Sequence, residues 1–514
     1  MTHIQIRPAH AQKAFAGIDN NFVLFSNMAD EPSPPPALAS LSLADNAPSK
    51  AAAQRITPFD VSGGVDETGK LLGIDYMKLT RDFGATPITA GLIERFEKVT
   101  GHKAHRYMRR GMVLSHRDLN KILDRYEKGE PFFIYTGRGP SSDSMHIGHS
   151  IPFEFTKWLQ DVFDVPLIIM LTDDEKFMHS KKIKIEDAER FARENAKDII
   201  GIGFDPKKTF IFSDYDFMGG AFYKNVTMMA KRITINSIMG TFGFNQSNNI
   251  GEFFFPAVQS ATAFATSFPH IFGEDALKSR SVMCLIPCAI DQDPYFRQCR
   301  EHAEEMKYKK PALIHSIFLP ALQGPGSKMS ASVDASAIFL TDTPAKIKNK
   351  VNKHAFSGGQ DTEEKHRALG GRTDQDVAFQ YLKFFMEDDE ELERIRQSYE
   401  KGEMLTGELK AICIKYLQEY VGAFQERRAK VTEEVRKEFM SQRPLIYGGN
   451  PNPVVVEKAP KVSKGSESAK KASTAETSEG KAHSRGKSTS KAPTEEVKGH
   501  TRAKSMAKAN GDAK

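Results

Sequence analysis

The sequence predicts an α/β protein: a doubly wound, Rossmann-like parallel sheet, then an all-helical region, with disordered extensions at both ends. Three observations predict it. Short apolar runs alternate with segments of helical period, polar clusters stand where those runs stop, and after about Thr341 the strand-like runs cease.

The first strand is Phe132 to Tyr135, followed by the Gly- and Pro-containing loop Thr136 to Met145. Ile151, Phe155, Trp158, Leu159 and Val162 then share one helical face. Val165 to Leu171 is apolar throughout, as a parallel strand covered on both faces requires, and it ends in Thr172-Asp173-Asp174-Glu175-Lys176. The alternation continues with a helix near Ile185 to Ile200, strands at Thr209 to Phe212 and near Val282 to Ile286, a helix after Pro294, and a strand near Ala312 to Ser316. In such sheets ligands bind beyond the carboxyl ends of the strands, where the polar clusters of this chain lie. Residues 375 to 440 read as amphipathic helices, with Phe379, Leu382, Phe385 and Met386 among their apolar positions. The boundaries that follow are 131–341 for the sheet domain and 342–447 for the helical domain. Residues 58–130 form an accessory region packed on the sheet domain, in which Leu92, Phe96 and Val99 mark a helix.

Residues 1–57 and 448–514 are the extensions. The first holds Pro-Ser-Pro-Pro-Pro at 32–36 among Ala/Ser runs, and the second alternates Lys with Ser, Ala, Thr and Glu. Arg7 and Lys13 without an acidic group in residues 2–18 faintly suggest a transit peptide and hence an organellar form, with Met28 as a second plausible start. The net charge of +6 is misleading as a sign of nucleic-acid binding. Residues 451–514 carry 14 Lys and Arg against 7 Asp and Glu, so the preceding body is near −1. The tail is expected to attract RNA without sequence preference and in a salt-sensitive way. No apolar run reaches membrane-spanning length, and the dispersed cysteines Cys284, Cys288, Cys299 and Cys413 lack zinc-site spacing.

Two motifs carry chemistry. His146-Ile147-Gly148-His149 opens a helix after a strand and loop, where unpaired N–H groups and the positive dipole end favour phosphate oxygens, and Gly148 would let a flat base approach. Lys328-Met329-Ser330-Ala331-Ser332 follows Gly324-Pro325-Gly326-Ser327, a loop able to close over phosphates and neutralise charge on a leaving group. Taken alone, the first is also satisfied by helix-capping histidines and the second by a solvated loop.

Together these motifs resemble the HIGH and KMSKS signatures of class I aminoacyl-tRNA synthetases, and the nearest match is the eukaryotic and archaeal type of tryptophanyl-tRNA synthetase. The resemblance runs from about Gly73 to Tyr447 and includes Tyr135 to Pro140, Thr172 to Lys176, Phe255 to Gln259 and Pro287 to Pro294. It implies that ATP, with Mg²⁺ bridging its phosphates, activates L-tryptophan, which then passes to tRNA(Trp). On this resemblance His146, His149 and Lys328 are catalytic, Gly137, Gly139, Gly148, Met329, Ser330 and Ser332 complete the ATP site, and no metal ligands are expected from the protein. Glu175, Gln259 and Gln292 would bind the substrate ammonium, Lys176 would lie near its carboxylate, and Tyr135 would accept the indole N–H. Met170 departs from the pattern, which has Gln or Glu there, and packing in the strand explains it as well as a substrate contact does. Ala331 replaces the second lysine of the loop.

The resemblance further implies a cytoplasmic homodimer whose helical domain holds the anticodon. Alternatives are a tyrosyl-tRNA synthetase, a small nucleotidyltransferase, or a synthetase-derived RNA-binding or signalling protein without catalysis. Asp173 and Asp174 are read as strand-end caps that could also touch substrate. Two basic groups, Lys346, Lys348, Lys350, Lys353 and His354, and Arg106, Arg109, Arg110, His116 and Arg117, are read either as RNA-guiding patches or as solvated faces.

Overall fold

The computed structural model describes residues 54–449, apart from Asp60, Val65, 68–71 and 330–332, and apart from the side chains of Pro325, Ser327 and Lys328. The expectations for residues 1–53 and 450–514, which cover the transit peptide, the second start and the basic tail, lie outside the described residues.

The strands are β1 (Arg55–Ile56), β2 (Val61–Ser62), β3 (Thr86–Pro87), β4 (Val113–Arg117), β5 (Phe132–Arg138), β6 (Leu167–Leu171), β7 (Thr209–Ser213), β8 (Met283–Ala289), β9 (Ala312–Ser316), β10 (Pro320–Ala321) and β11 (Gly324–Lys328). A seven-stranded sheet has the order β3-β4-β9-β8-β5-β6-β7. Its five strands from β9 to β7 are parallel, and β4 and β3 extend it antiparallel. From β5 the chain winds outward through β6 and β7, then returns to lay β8 and β9 on the other side. The order therefore reverses between β5 and β8, the crevice in which doubly wound sheets bind ligands.

Side chains alternate across the sheet with the two-residue period of extended chain. Ile134, Leu167, Ile169, Leu171 and Leu285 face one buried cluster, which also holds the helix Ile147–Phe163 and the carboxyl-terminal helices. Phe133, Tyr135, Ile168, Met170 and Ile286 face the other, under the helices Gly220–Ala230, Ile250–Ala261 and Asp293–Ala303. Burial on both faces explains why β6, Leu-Ile-Ile-Met-Leu, has no polar residue.

Three features differ from the sequence expectation. Part of the stretch expected to be disordered through residue 57 is structured, because Arg55 and Ile56 pair with Ser62 and Val61. The accessory region is part of the main sheet, since β4 pairs with β9. A small second sheet, β1-β2-β11-β10, joins this amino-terminal hairpin to the strand ending at Lys328.

The basic group at Arg106 to Arg117 is not an exposed patch. Arg106 is buried, pairs with Glu154 and Glu387, and donates to the Phe384 carbonyl at 2.6 Å. Arg109 and Arg110 each reach Asp389 at 2.7 Å. His116 accepts from the Leu119 N–H at 3.2 Å, and Arg117 holds Asp293 at 2.7 Å. Arg106, Arg109 and Arg110 thus fasten the amino-terminal region to the carboxyl-terminal helices, and His116 and Arg117 brace elements of the sheet domain. A buried ion pair broken on one side leaves an uncompensated charge, at a cost of about 3–5 kcal/mol.

Candidate active site

A cavity of about 310 Å³ opens at the switch point between β5 and β8. It is lined from the β5 end by Tyr135, Gly137 and Gly139, from the helix start by His146, Gly148 and His149, from beyond β6 by Glu175 and Lys176, from the helix Ile250–Ala261 by Gln259, from beyond β8 by Gln292, and by Met329. Eleven of the fifteen residues that the resemblance assigns to the site thus meet in one place. Ser330 and Ser332 lie outside the described residues, and Lys328 is placed by its backbone alone, opposite Pro320 at the end of β11.

The two signature motifs converge. His146 is the extended residue that opens the helix, and its ring stacks on that of His149 with centroids 3.5 Å apart. A Cβ on Gly148 would lie 3.1 Å from the His146 ring and 3.3 Å from the Met329 sulfur, so glycine is what lets the two motifs pack together. The chain beyond the lysine loop is tied to the same helix start: Ile147 donates to the Ile338 carbonyl, and Leu340 to that of Met145, both at 2.9 Å. Pro152 has no N–H to give the Gly148 carbonyl one turn earlier, and both residues line the cavity.

On the amino-acid side, the carboxylate of buried Glu175 lies 2.9 Å from the Lys176 ammonium and accepts from the Thr172 hydroxyl at 3.1 Å. Gly139 makes room for this pair, because a Cβ there would stand 2.2 Å from Lys176 Cε. Gly137 likewise clears the Tyr135 hydroxyl, 3.0 Å from where its Cβ would be. Gln259 Nε2 donates to that hydroxyl at 2.6 Å. Met170 is fully buried and does not line the cavity, and its sulfur accepts from Tyr135 at 3.3 Å. Core packing is therefore its place, against the Tyr135 hydroxyl.

Asp173 and Asp174 turn inward. Asp173 accepts from the Ser213 hydroxyl and from the Asp214 N–H at 3.0 Å, tying the ends of β6 and β7. Asp174 and the fully buried Asp214 complete an acidic group beneath the turn that presents Glu175. Burial raises all three carboxyls, Asp173 to about 6. A carboxyl raised on folding favours the folded state while protonated, and this contribution is lost as pH climbs through its folded value. Asp174→Asn stays neutral, so it is expected to raise the melting temperature by a few degrees at pH 8 and to leave it nearly unchanged at pH 4. Calorimetry at the two pH values checks this, and equal shifts at both would refute it.

Two groups of site residues were not foreseen. Pro58 lines the cavity, and Phe59 stacks on His179 at 4.7 Å, on the helix that carries Glu175. Through β2 and β11 the same hairpin pairs with the strand ending at Lys328, so one element touches both halves of the site. Secondly, Ser115 Oγ lies 3.0 Å from His315 Nδ1, and His315 Nε2 lies 3.1 Å from Asp293, which Arg117 also grips. The arrangement has the spacing of a nucleophilic triad, but all three members are fully buried, so no substrate reaches it. It braces the helix start next to Gln292. Only long-range contact, 200 residues apart for Ser115 and His315, brings it together.

A family model described as tRNA synthetases class I (W and Y) matches residues 127–421, more than half of the chain. The chain belongs to this family of class I tRNA synthetases. The cytoplasmic tryptophan–tRNA ligase of Saccharomyces cerevisiae is 58% identical over 77% of this synthetase and 90% of its own length. That of Homo sapiens is 55% identical over 74% and 80%. The solved tryptophanyl-tRNA synthetase of Giardia lamblia aligns with a TM-score of 0.68 at 44% identity, covering 71% of this chain and 96% of that one. A tryptophan-bound synthetase from Encephalitozoon cuniculi aligns with a TM-score of 0.66 at 43% identity, covering 72% and 99%.

In this synthetase the second basic group divides. Lys350 is buried and bonds to Asp334 and Asp342, and Lys346 is bound to the same two carboxylates, so both clamp the chain that follows the lysine loop. Lys348 and Lys353 remain exposed.

Proposed function

We infer that the chain is a tryptophan–tRNA ligase, which activates L-tryptophan with ATP and passes it to tRNA(Trp) in the cytoplasm. The observation that carries this is the meeting of the histidine-headed helix, the Glu175–Lys176 pair and Met329 on one cavity at the sheet's switch point. In the first step a carboxylate oxygen of tryptophan attacks the α-phosphorus, the bond to the bridging oxygen breaks, and pyrophosphate leaves. A hydroxyl of the terminal ribose of tRNA then attacks the aminoacyl carbonyl, and AMP leaves. Little covalent work falls to the protein, which acts by positioning and charge stabilisation.

In this reading His149 and His146 meet the phosphates and Lys328 draws charge from the departing pyrophosphate. Glu175 and Lys176 neutralise each other until a zwitterion enters, whose ammonium then takes Glu175, with Gln259 and Gln292, and whose carboxylate takes Lys176. The remaining lone pair of the Tyr135 hydroxyl accepts the indole N–H. Mg²⁺ would enter on the triphosphate. The described acidic cluster does not suit it, since Asp173 is already taken by Ser213 and by the Asp214 N–H, and burial pushes the Asp214 carboxyl well above the usual carboxylate range.

The helices from Pro344–His354 to Glu433–Met440 are proposed to hold the anticodon. A homodimer is supported by apolar side chains on three neighbouring helices, Tyr223 at 49% exposure, Ile235 at 64% and Ile250 at 87%. Mass in solution should be twice that of the chain, and a monomer mass would contradict the dimer. The function itself is tested by ATP–pyrophosphate exchange stimulated by each of the twenty amino acids. Tryptophan should stimulate it. Stimulation by tyrosine alone would point to the tyrosine enzyme, and by none to a protein without catalysis.

A further inference from the structure

The helix Thr406–Arg428 sends three polar side chains toward the segments that carry the two signature motifs, and none of the three lines the cavity. Tyr420 donates at 2.8 Å to the Ser150 hydroxyl, which has one proton to give and gives it to the Ile147 carbonyl at 2.8 Å, inside the first turn of the histidine-headed helix. Arg428 Nε holds Asp198 at 2.8 Å, and the other oxygen of that carboxylate accepts from the Met145 N–H at 3.2 Å, one residue before His146. Gln425 Nε2 donates to the carbonyls of Leu340 at 2.9 Å and Asp342 at 3.1 Å, on the chain that follows the lysine loop. The two sides meet where the Leu340 N–H donates to the Met145 carbonyl at 2.9 Å. Ser150, Asp198, Met145 and Leu340 are buried, so bulk water does not compete for these bonds. The mounting is tight as well: a Cβ on Gly201 would lie 3.2 Å from Arg428 Cα.

We propose that Tyr420, Gln425 and Arg428 are positioning residues for the activation step: from one helix of the carboxyl-terminal region they set the gap between the histidine pair and the chain that follows the lysine loop. This rests on the ligase reading above, in which one triphosphate is gripped from both sides of that gap. Apolar packing already fastens the helix, since Leu417, Val421 and Phe424 are buried in the main cluster. The polar side chains are left to fix where it sits. Apolar contacts tolerate small slips, whereas a hydrogen bond weakens steeply once its angle opens. A misplacement of about 1 Å at the reacting atoms, caused from a distance, can cost about 10²-fold in rate.

The test is tryptophan-dependent ATP–pyrophosphate exchange by the full chain, without tRNA. Tyr420→Phe and Ser150→Ala each remove the same hydrogen bond, so each should lower kcat about tenfold, part of what a full ångström costs, with the KM for tryptophan within about twofold. The two together should do no more than Ser150→Ala alone, because coupled partners are not additive. Gln425→Met keeps the length of the side chain and removes its donor. Combined with Tyr420→Phe it frees both sides of the gap and should lower kcat by about 10²-fold. Residues with a merely structural role would lower the melting temperature and leave kcat of the folded protein in place. An unchanged kcat in a Tyr420→Phe/Gln425→Met variant that thermal melting shows folded, or additive losses from Tyr420→Phe and Ser150→Ala, overturns the proposal. If the first of these does not fold, the Tyr420–Ser150 pair decides. Lack of any exchange with tryptophan in the unaltered protein would instead overturn the functional reading beneath it.

Discussion

Lys328→Ala is expected to lower tryptophan-dependent ATP–pyrophosphate exchange by about 10²–10³-fold, the loss seen when one preorganised stabiliser of developing charge is removed. Lys328 ends β11, opposite Pro320, and the next residue, Met329, lies at the cavity wall against Gly148. The loop therefore leaves a paired strand and reaches the phosphate side of the site within one residue. Ala331 stands where the class pattern has a second lysine, so Lys328 is the cation of this loop and no neighbouring lysine within it would cover its loss. Because the lysine is proposed to act as charge builds on pyrophosphate, the loss should fall on kcat more than on the KM for tryptophan. Steady-state exchange kinetics read both, and an unchanged rate would remove the loop from the mechanism.

Glu175→Gln is the second large effect, and it should appear in the other constant. The carboxylate is buried and bonded to Lys176 and Thr172, so the variant loses the proposed partner for the substrate ammonium and leaves Lys176 unneutralised. Truncating one side of a buried charge pair costs about 2–5 kcal/mol, and keeping the amide puts this change at the low end. The KM for tryptophan should rise about 10²-fold, with a smaller fall in kcat. A variant whose KM for tryptophan is unchanged would show that the ammonium binds elsewhere.

The parts of the fold legible in the sequence are those whose physics is local. β6 is buried on both faces and reads as an unbroken apolar run, residues 132–135 of β5 and 312–314 of β9 read as shorter ones, and the helix Ile147–Phe163 shows its period through Ile151, Phe155 and Leu159. The polar residues beyond the carboxyl ends of the parallel strands mark the ligand side, which is why Glu175 after β6 and Gln292 after β8 fall on the cavity with Tyr135 of β5, whereas Gln259 reaches it from a helix and Met329 from the small sheet. What escaped depends on distant partners. β1, β2 and β3 are two residues long, too short for any period, and they exist because β11 and β4 offer edges to pair with. Arg106, Arg109 and Arg110 resemble an RNA-facing patch until Glu387 and Asp389, some 280 positions later, fold against them. The bracing of Asp293 by His315 and Arg117 is silent for the same reason.

The account depends on one nucleotide being held from two directions, by the histidine-headed helix and by the distant lysine. A crystal structure with tryptophan and a non-hydrolysable ATP analogue measures this directly. It should place the His146–His149 pair and the Lys328 ammonium around the same triphosphate, with donor–oxygen distances near 3 Å. A triphosphate seated away from the histidines, or a Lys328 that stays turned from it when the cavity is full, would contradict the account.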